Sequence, residues 1–190
     1  MKLVKCINCN KGESIEEIIN NKGQIVYKCN LCGKVSPQAI SLDSRLKFDL
    51  TPQGELYHFS VGLIVRNDEN DILMAHRRQY DFSWSLIFGH IHNGETPKDT
   101  VIRELIEETG LKAEKPVLKF KKLIDTTCRT GIKKHLCYVY ELRVPSKSPL
   151  ITNSESEELV WVKVKDIQNR KYKPIGKSTE AFLKELITFK

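Results

Sequence analysis

Three glutamates, Glu104, Glu107 and Glu108, stand at i, i+3 and i+4, so on a helix their carboxylates share one face. Like charges at that spacing repel and weaken the helix that carries them. The pattern therefore predicts a cation from outside the chain, most simply a divalent metal bound through hard carboxylate oxygens. A second set of residues points to different metal chemistry. Cys6 and Cys9 form one CxxC pair, Cys29 and Cys32 another, with nineteen residues between the pairs. Four thiolates at this spacing can close tetrahedrally around zinc, and a segment too short for its own core gains folding energy from the metal. A disulfide framework would need an oxidising compartment, and a thioredoxin-like redox site would use a single CxxC. Four cysteines leave no open coordination position, so this zinc is expected to be structural.

The elements that must position these residues are legible around them. Thr96 is placed to N-cap a helix, Pro97 fits its first position, Asp99 lies near the positive end of the dipole, and Gly110 supplies the left-handed stop. On this helix Val101, Ile102, Leu105 and Ile106 form an apolar arc, with Arg103 and the three glutamates around the remainder. Glu108 falls about 20° from Val101, which places the acidic face at the edge of a cleft. Strands are expected at 57–66, then at 72–75 after the Asn67 to Asp71 turn, at 115–125, at 135–144 and at 155–164. Residues 24–28 read as a strand leading into the second cysteine pair. The segment STEAFLKELITF (178–189) reads as an amphipathic closing helix with Ser178 as its cap. Strands on both sides of a long helix, with a second helix at the end, give a mixed sheet between helices, an α/β fold. Pro37, Pro52 and Gly54 mark residues 33–56 as an exit and linker.

Gly89, five residues, Glu95, seven residues, Arg103-Glu104-Leu105, one residue, Glu107-Glu108, one residue, Gly110-Leu111 resembles the Nudix hydrolase box at every fixed position. The cysteine-bearing segment resembles a zinc ribbon. The expected organisation is a ribbon over 1–45, a linker over 46–56 and a Nudix domain with an α/β/α sandwich over 57–190. The resemblance implies hydrolysis of a nucleoside diphosphate linked to another group, with Mg²⁺ or Mn²⁺ as cofactor. Glu104 and Glu108 are the first ligands it suggests, and Glu107 is a further ligand or the base that orients water. Arg103 would pair with Glu95, and Gly89 would offer its carbonyl to metal. Arg77, Arg78 and Trp84, in a basic and aromatic run ahead of the box, are candidate substrate contacts. Glu157, within the acidic cluster Glu155, Glu157 and Glu158, is another, though a solvated acidic turn explains that cluster equally well. Phe88 stands where many relatives carry glycine, and His92 where an acidic residue is common. No metal or phosphate role is expected for His90 or His92. Cys128 and Cys137 read as small buried hydrophobes. A ribbon ahead of a Nudix domain is similar to the NADH pyrophosphatases, but residues 112–135 lack their Ser-Gln-Pro-Trp-Pro-Phe-Pro type motif.

Composition narrows the partners. Net charge is +7, which favours anionic ligands such as nucleotides without choosing among them. Lys119, Lys121, Lys122, Arg129, Lys133 and Lys134 gather part of that charge, as a solvated face or a substrate-attracting one. A nucleic-acid partner is the alternative to a small nucleotide substrate, with the domain then acting as a ligand sensor. A homodimer is compatible with the sequence. No apolar run reaches the roughly 18 residues that span a bilayer, and the start of the chain lacks a signal-peptide core, so a cytoplasmic protein without a membrane partner is expected.

Overall fold

The computed structural model describes residues 3–12, 14–78, 83–113, 115–173 and 175–187. Residues 79–82, inside the basic and aromatic run, and the last two residues of the expected closing helix lie outside this set. The N-terminal part contains β1 (Leu3–Lys5), β2 (Ile15–Ile19), β3 (Ile25–Cys29), β4 (Val35–Ser36) and β5 (Ile40–Leu42). β1 pairs with β5, and β2, β3 and β4 make a separate antiparallel sheet. Ile19, Ile25, Leu31 and Val35 are all more than half exposed. Apolar burial in the β2-β3-β4 sheet is therefore slight, and the four cysteines converge beside it.

The stretch expected to be a linker belongs to the large sheet. β6 (Phe48–Leu50) pairs with β7 (Leu56–Arg66), and Pro52 and Gly54 form the turn of that hairpin. Gly54 has φ +78° and its N–H reaches the Thr51 carbonyl at 2.8 Å, so the breaker residues mark a tight reversal rather than a loose tether. Lys47 N–H bonds the Ile91 carbonyl, and Leu46 bridges His92.

The remaining elements are β8 (Ile72–Arg77), β9 (Trp84–Ser85), β10 (Ile87–His90), α1 (Pro97–Thr109), β11 (Val117–Asp125), β12 (Lys134–Arg143), β13 (Ser156–Val162), α2 (Val164–Gln168) and α3 (Lys177–Leu186). The sheet runs β11-β12-β7-β8-β13, with β6 and β10 also on β7 and β9 on β8. β12 runs parallel to β7 and the other pairings are antiparallel, which makes the sheet mixed. Alternate residues of β7 feed two cores. Val61, Leu63 and Val65 pack with Val101 and Leu105 of α1, and Ile64 packs with Cys137, Val139, Phe182 and Leu183 on the α3 side. The result is an α/β/α arrangement.

α1 follows its sequence signals: Thr96 and Asp99 exchange capping hydrogen bonds, and Gly110 ends the helix at φ +72°. Its buried face is turned from the expected one. Ile106 is 43% exposed, whereas Glu104 and Glu108 are 9% and 2% exposed, so the buried arc runs from Val101 and Leu105 toward the carboxylates, the side on which Glu108 was expected at a cleft edge, and leaves Ile106 outside. α3 also departs from expectation. It begins at Lys177 after Gly176, and Ser178 lies inside its first turn instead of capping it. Docking sets this start, because Gly176 N–H bonds the Trp84 carbonyl and Leu86 N–H bonds Thr179 Oγ1. Cys137 is a buried core residue as expected. Cys128 is not; it is half-buried beside an imidazole. No helix among the described residues is long and apolar enough to cross a membrane.

Candidate active site

β10 and α1 bring the box together. A side chain at Gly89 would be impossible here, since a Cβ built on it lies 2.0 Å from Glu104 Cδ. Glycine thus makes the space into which the Glu104 carboxylate is pressed against the strand. Arg103 ties the rest: Nε donates to Glu95 Oε1 at 2.7 Å, Nη1 to Glu104 Oε1 at 2.6 Å and Glu107 Oε2 at 3.1 Å, and Nη2 to the His90 carbonyl at 3.0 Å. The expected Arg103–Glu95 pair is present, the Arg103–Glu107 pair of an ordinary acidic surface helix is present beside it, and Arg103 also reaches Glu104, which the sequence reading did not give it.

Glu108 is served by another arginine. Arg77 Nη1 lies 2.7 Å from Glu108 Oε2 and 3.5 Å from Glu155 Oε2, while Arg77 Nε donates to Ser85 Oγ at 2.8 Å. Arg77 is 8% exposed, so it is a buried counter-ion of the acidic helix and not the surface substrate contact expected from its neighbours. The chain itself supplies part of the cationic charge that the sequence seemed to leave to metal. That cover is incomplete. Glu108 Oε2 is buried and ion-paired but receives no well-aligned hydrogen bond.

Burial raises the pKa of both inner glutamates. Burial pushes Glu104 up to about 7 against the pull of Arg103, with Glu108 and Glu107 adding repulsion. Burial likewise pushes Glu108 up to about 7, opposed by Arg77 and assisted by Glu155. Glu95 is held far below the usual carboxylate range, chiefly by its hydrogen bonds from Arg103. Glu107 differs from its neighbours in having a side chain that is 56% exposed. Two buried oxygen donors that resist ionisation, with a third at the mouth, are hard ligands short of positive charge, and they fit a small divalent cation.

Other sequence candidates lie apart from this centre. Trp84 stacks on His76 at 4.8 Å and meets Tyr172 edge-on, packed against the α3-side core. Glu157 faces His76 at 3.2 Å and Arg78 at 3.9 Å. Within the acidic cluster, Glu155 rather than Glu157 shares Arg77 with Glu108.

The four ribbon cysteines converge. Cys6 and Cys32 Sγ are 3.8 Å apart, as are Cys9 and Cys29, and all four sulfurs lie within 4.8 Å of one another. A zinc tetrahedron with Zn–S of about 2.3 Å has S···S edges of about 3.8 Å. The arrangement is compatible with zinc, and Gly33, at φ +70°, makes the turn after the second pair with its N–H on the Cys29 carbonyl.

A profile of the NUDIX domain matches residues 56–184. The chain is 28% identical over 152 residues to an isopentenyl-diphosphate Delta-isomerase of Corynebacterium diphtheriae, covering 75% of this chain and 80% of that protein. It is 43% identical over 60 residues to an RNA pyrophosphohydrolase of Ruthia magnifica subsp. Calyptogena magnifica, a match over 32% of this chain and 33% of that protein. The chain therefore spans about a third of the latter's length. Among solved structures, the MutT protein from Methanosarcina mazei Go1 superposes with a TM-score of 0.58 at 24% identity, over 68% of this chain and 91% of that one, a likeness of fold. The domain profile covers well over half of the chain and contains the whole carboxylate site, and the protein belongs to the NUDIX domain family.

Proposed function

We propose that the protein is a metal-dependent hydrolase of phosphoric anhydrides that cleaves the diphosphate linkage of a nucleoside diphosphate joined to another group. The observation that carries this reading is the pair of buried carboxylates, Glu104 and Glu108, set against Gly89 and left with incomplete cationic cover. Glu104 and Glu108 would hold Mg²⁺ or Mn²⁺, with Glu107 and the Gly89 carbonyl as further donors. When bound there, the cation would neutralise charge on the diphosphate and polarise the scissile bond. Glu107, at the open edge of the site, accepts the proton of the attacking water as its oxygen bonds to phosphorus and the bridging P–O bond breaks. Arg103 keeps Glu95 and the strand carrying Gly89 in register with the helix, and Arg77 fixes Glu108. A structural Zn²⁺ on Cys6, Cys9, Cys29 and Cys32 would hold the N-terminal part.

The substrate class is tested with purified protein and Mg²⁺ or Mn²⁺ against NADH, ADP-ribose, a diadenosine polyphosphate, 5′-triphosphorylated RNA and isopentenyl diphosphate, scored by kcat/KM. Release of a nucleoside monophosphate from the dinucleotides or ADP-ribose is the expected result. Isomerisation of isopentenyl diphosphate without anhydride cleavage would overturn the assignment. Tight nucleotide binding with no turnover of any substrate would instead favour a sensor.

The raised pKa values of Glu104 and Glu108 make metal binding pH-dependent. Near neutral pH the inner glutamates of the metal-free site are partly protonated and must lose those protons to bind a cation. Affinity for Mn²⁺ is expected to rise with pH up to and through about 7, with proton release on binding. Calorimetry in buffers of different ionisation enthalpy measures that release, and an affinity flat from about pH 6 to about pH 8 would contradict the site. For the same reason, the metal-free fold loses stability as pH rises from the ordinary glutamate value to about 7.

A further inference from the structure

Among the described residues, a second group of soft and borderline ligands converges besides the ribbon cysteines. His58 on β7, His90 on β10, His135 on β12 and Cys128 in the loop before β12 each offer a ligand atom, all within 4.8 Å of one another. We propose that these four side chains bind a second zinc ion, a structural site distinct from both the ribbon and the carboxylate centre.

Two of the six ligand–ligand separations match the edges of a coordination tetrahedron. With Zn–N of about 2.0 to 2.1 Å and Zn–S of about 2.3 Å, the N···N edge is about 3.4 Å and the N···S edge about 3.6 Å. His90 Nε2 and His135 Nε2 stand 3.4 Å apart, and Cys128 Sγ is 3.7 Å from His58 Nδ1. A neutral imidazole carries one lone pair that can ligate a metal. Ring packing alone is a poor account of the group. His58 is fully buried and His135 nearly so, and placing polar rings there has a cost that apolar residues on these strands would avoid. Imidazole and thiolate select zinc over the magnesium-class ions suited to Glu104 and Glu108.

The location gives the ion its role. His135 pairs directly with His58 across the parallel ladder, and His90 lies on the opposite neighbour of β7, one step along. The three imidazoles point to the α3-side face of the sheet, whereas α1 with its glutamates covers the other. The fourth ligand comes from a loop that grips the N-terminal part. Ser41 N–H bonds the Thr130 carbonyl at 2.8 Å, and a Cβ on Gly131 would lie 2.6 Å from the Ala39 carbonyl. Beside it Ile40, Leu56 and Ile132 form a small core to which Ile7, Leu42 and Cys128 add. Four protein ligands close the coordination sphere, so the ion would pin this loop to three strands and seat the cysteine-bearing part against the sheet.

The test is zinc content and ligand type in the full chain. Metal analysis of protein grown with zinc is expected to give about two zinc ions per chain, and X-ray absorption at the zinc edge a mixed nitrogen and sulfur shell. Cys128→Ala and His135→Gln should each lower the content to about one, with the remaining shell all sulfur. Cys9→Ala with Cys32→Ala should leave the complementary, nitrogen-rich shell. Cys128 is half-buried on a loop, so its variant decides the matter if His135→Gln does not fold. Zinc at or below one per chain with an all-sulfur shell in the wild type overturns the proposal, as does a second zinc that survives Cys128→Ala. Loss of the ribbon zinc alone would count against the ribbon assignment and leave this site standing.

Discussion

Replacement of Glu107 by glutamine is expected to lower kcat by roughly two to four orders of magnitude while leaving the melting temperature nearly unchanged. The two halves of that expectation come from the same fact. Glu107 is the box carboxylate whose side chain is more than half exposed, and its ion pair with Arg103 at 3.1 Å is one of five hydrogen bonds that Arg103 makes. An exposed pair of this kind contributes at most about 1 kcal/mol, so stability gives the substitution little to act on. Glutamine keeps the size and the hydrogen bonding but cannot take a proton from water, which is the step assigned to this residue. Metal dependence separates the two roles open to it. If Glu107 is the base, the Mn²⁺ concentration for half-maximal rate stays put and the plateau falls; if it is mainly a ligand, the concentration rises as well. Unchanged turnover at saturating metal would mean that Glu107 only balances Arg103, and the catalytic assignment would then have to move to Glu104 or Glu155.

The spacing of the box glutamates, the caps of α1 and the two CxxC pairs were readable because each is a local pattern, set by helical or turn geometry within a few residues. What the sequence could not reveal is long-range. Arg77 looked like a surface residue because it lies next to Arg78 and an aromatic run, yet β8 places it under α1 against Glu108. The burial of Glu104 depends on a missing Cβ at Gly89, fifteen residues earlier in the chain. His58, His90, Cys128 and His135 come from separate strands and a loop, with no spacing that a local reading could detect. Pro52 and Gly54 read as a linker because a hairpin turn and a tether share the same residue types. The acidic helix with its own Arg103 was the strongest signal in the sequence, and its distant partner Arg77 was among the weakest. A cation was inferred from the absence of local countercharge, and the fold supplied part of that charge from a distance.

Arg77→Met should be the most destabilising single substitution near the site, by about 3 to 5 kcal/mol at alkaline pH, because it strands a buried carboxylate. The Arg77 and Glu108 side chains are 9% and 3% exposed and meet at 2.7 Å. Methionine fills most of the arginine stem volume, so cavity formation adds little and the lost charge dominates. The sign of the pH dependence identifies the cause. Burial already holds Glu108 at about 7 with the guanidinium in place, and without it the value rises further. Below about pH 6 the carboxyl is protonated in both proteins and loss of the charge partner costs little. As pH rises past about 7, the wild type ionises Glu108 against Arg77, whereas the variant retains the proton on folding and the unfolded chain does not, so the deficit widens. Urea unfolding at about pH 6 and about pH 9 measures it. Arg77→Met with Glu108→Gln should recover most of the loss and flatten its pH dependence, since neither charge is then left alone. Mn²⁺ should restabilise Arg77→Met more than the double variant, because an ion bound to Glu108 replaces the missing guanidinium in the first protein but has no anionic Glu108 ligand in the second. A deficit independent of pH would mean that the Ser85 hydrogen bond and packing, rather than the Glu108 charge, explain why an arginine is buried there.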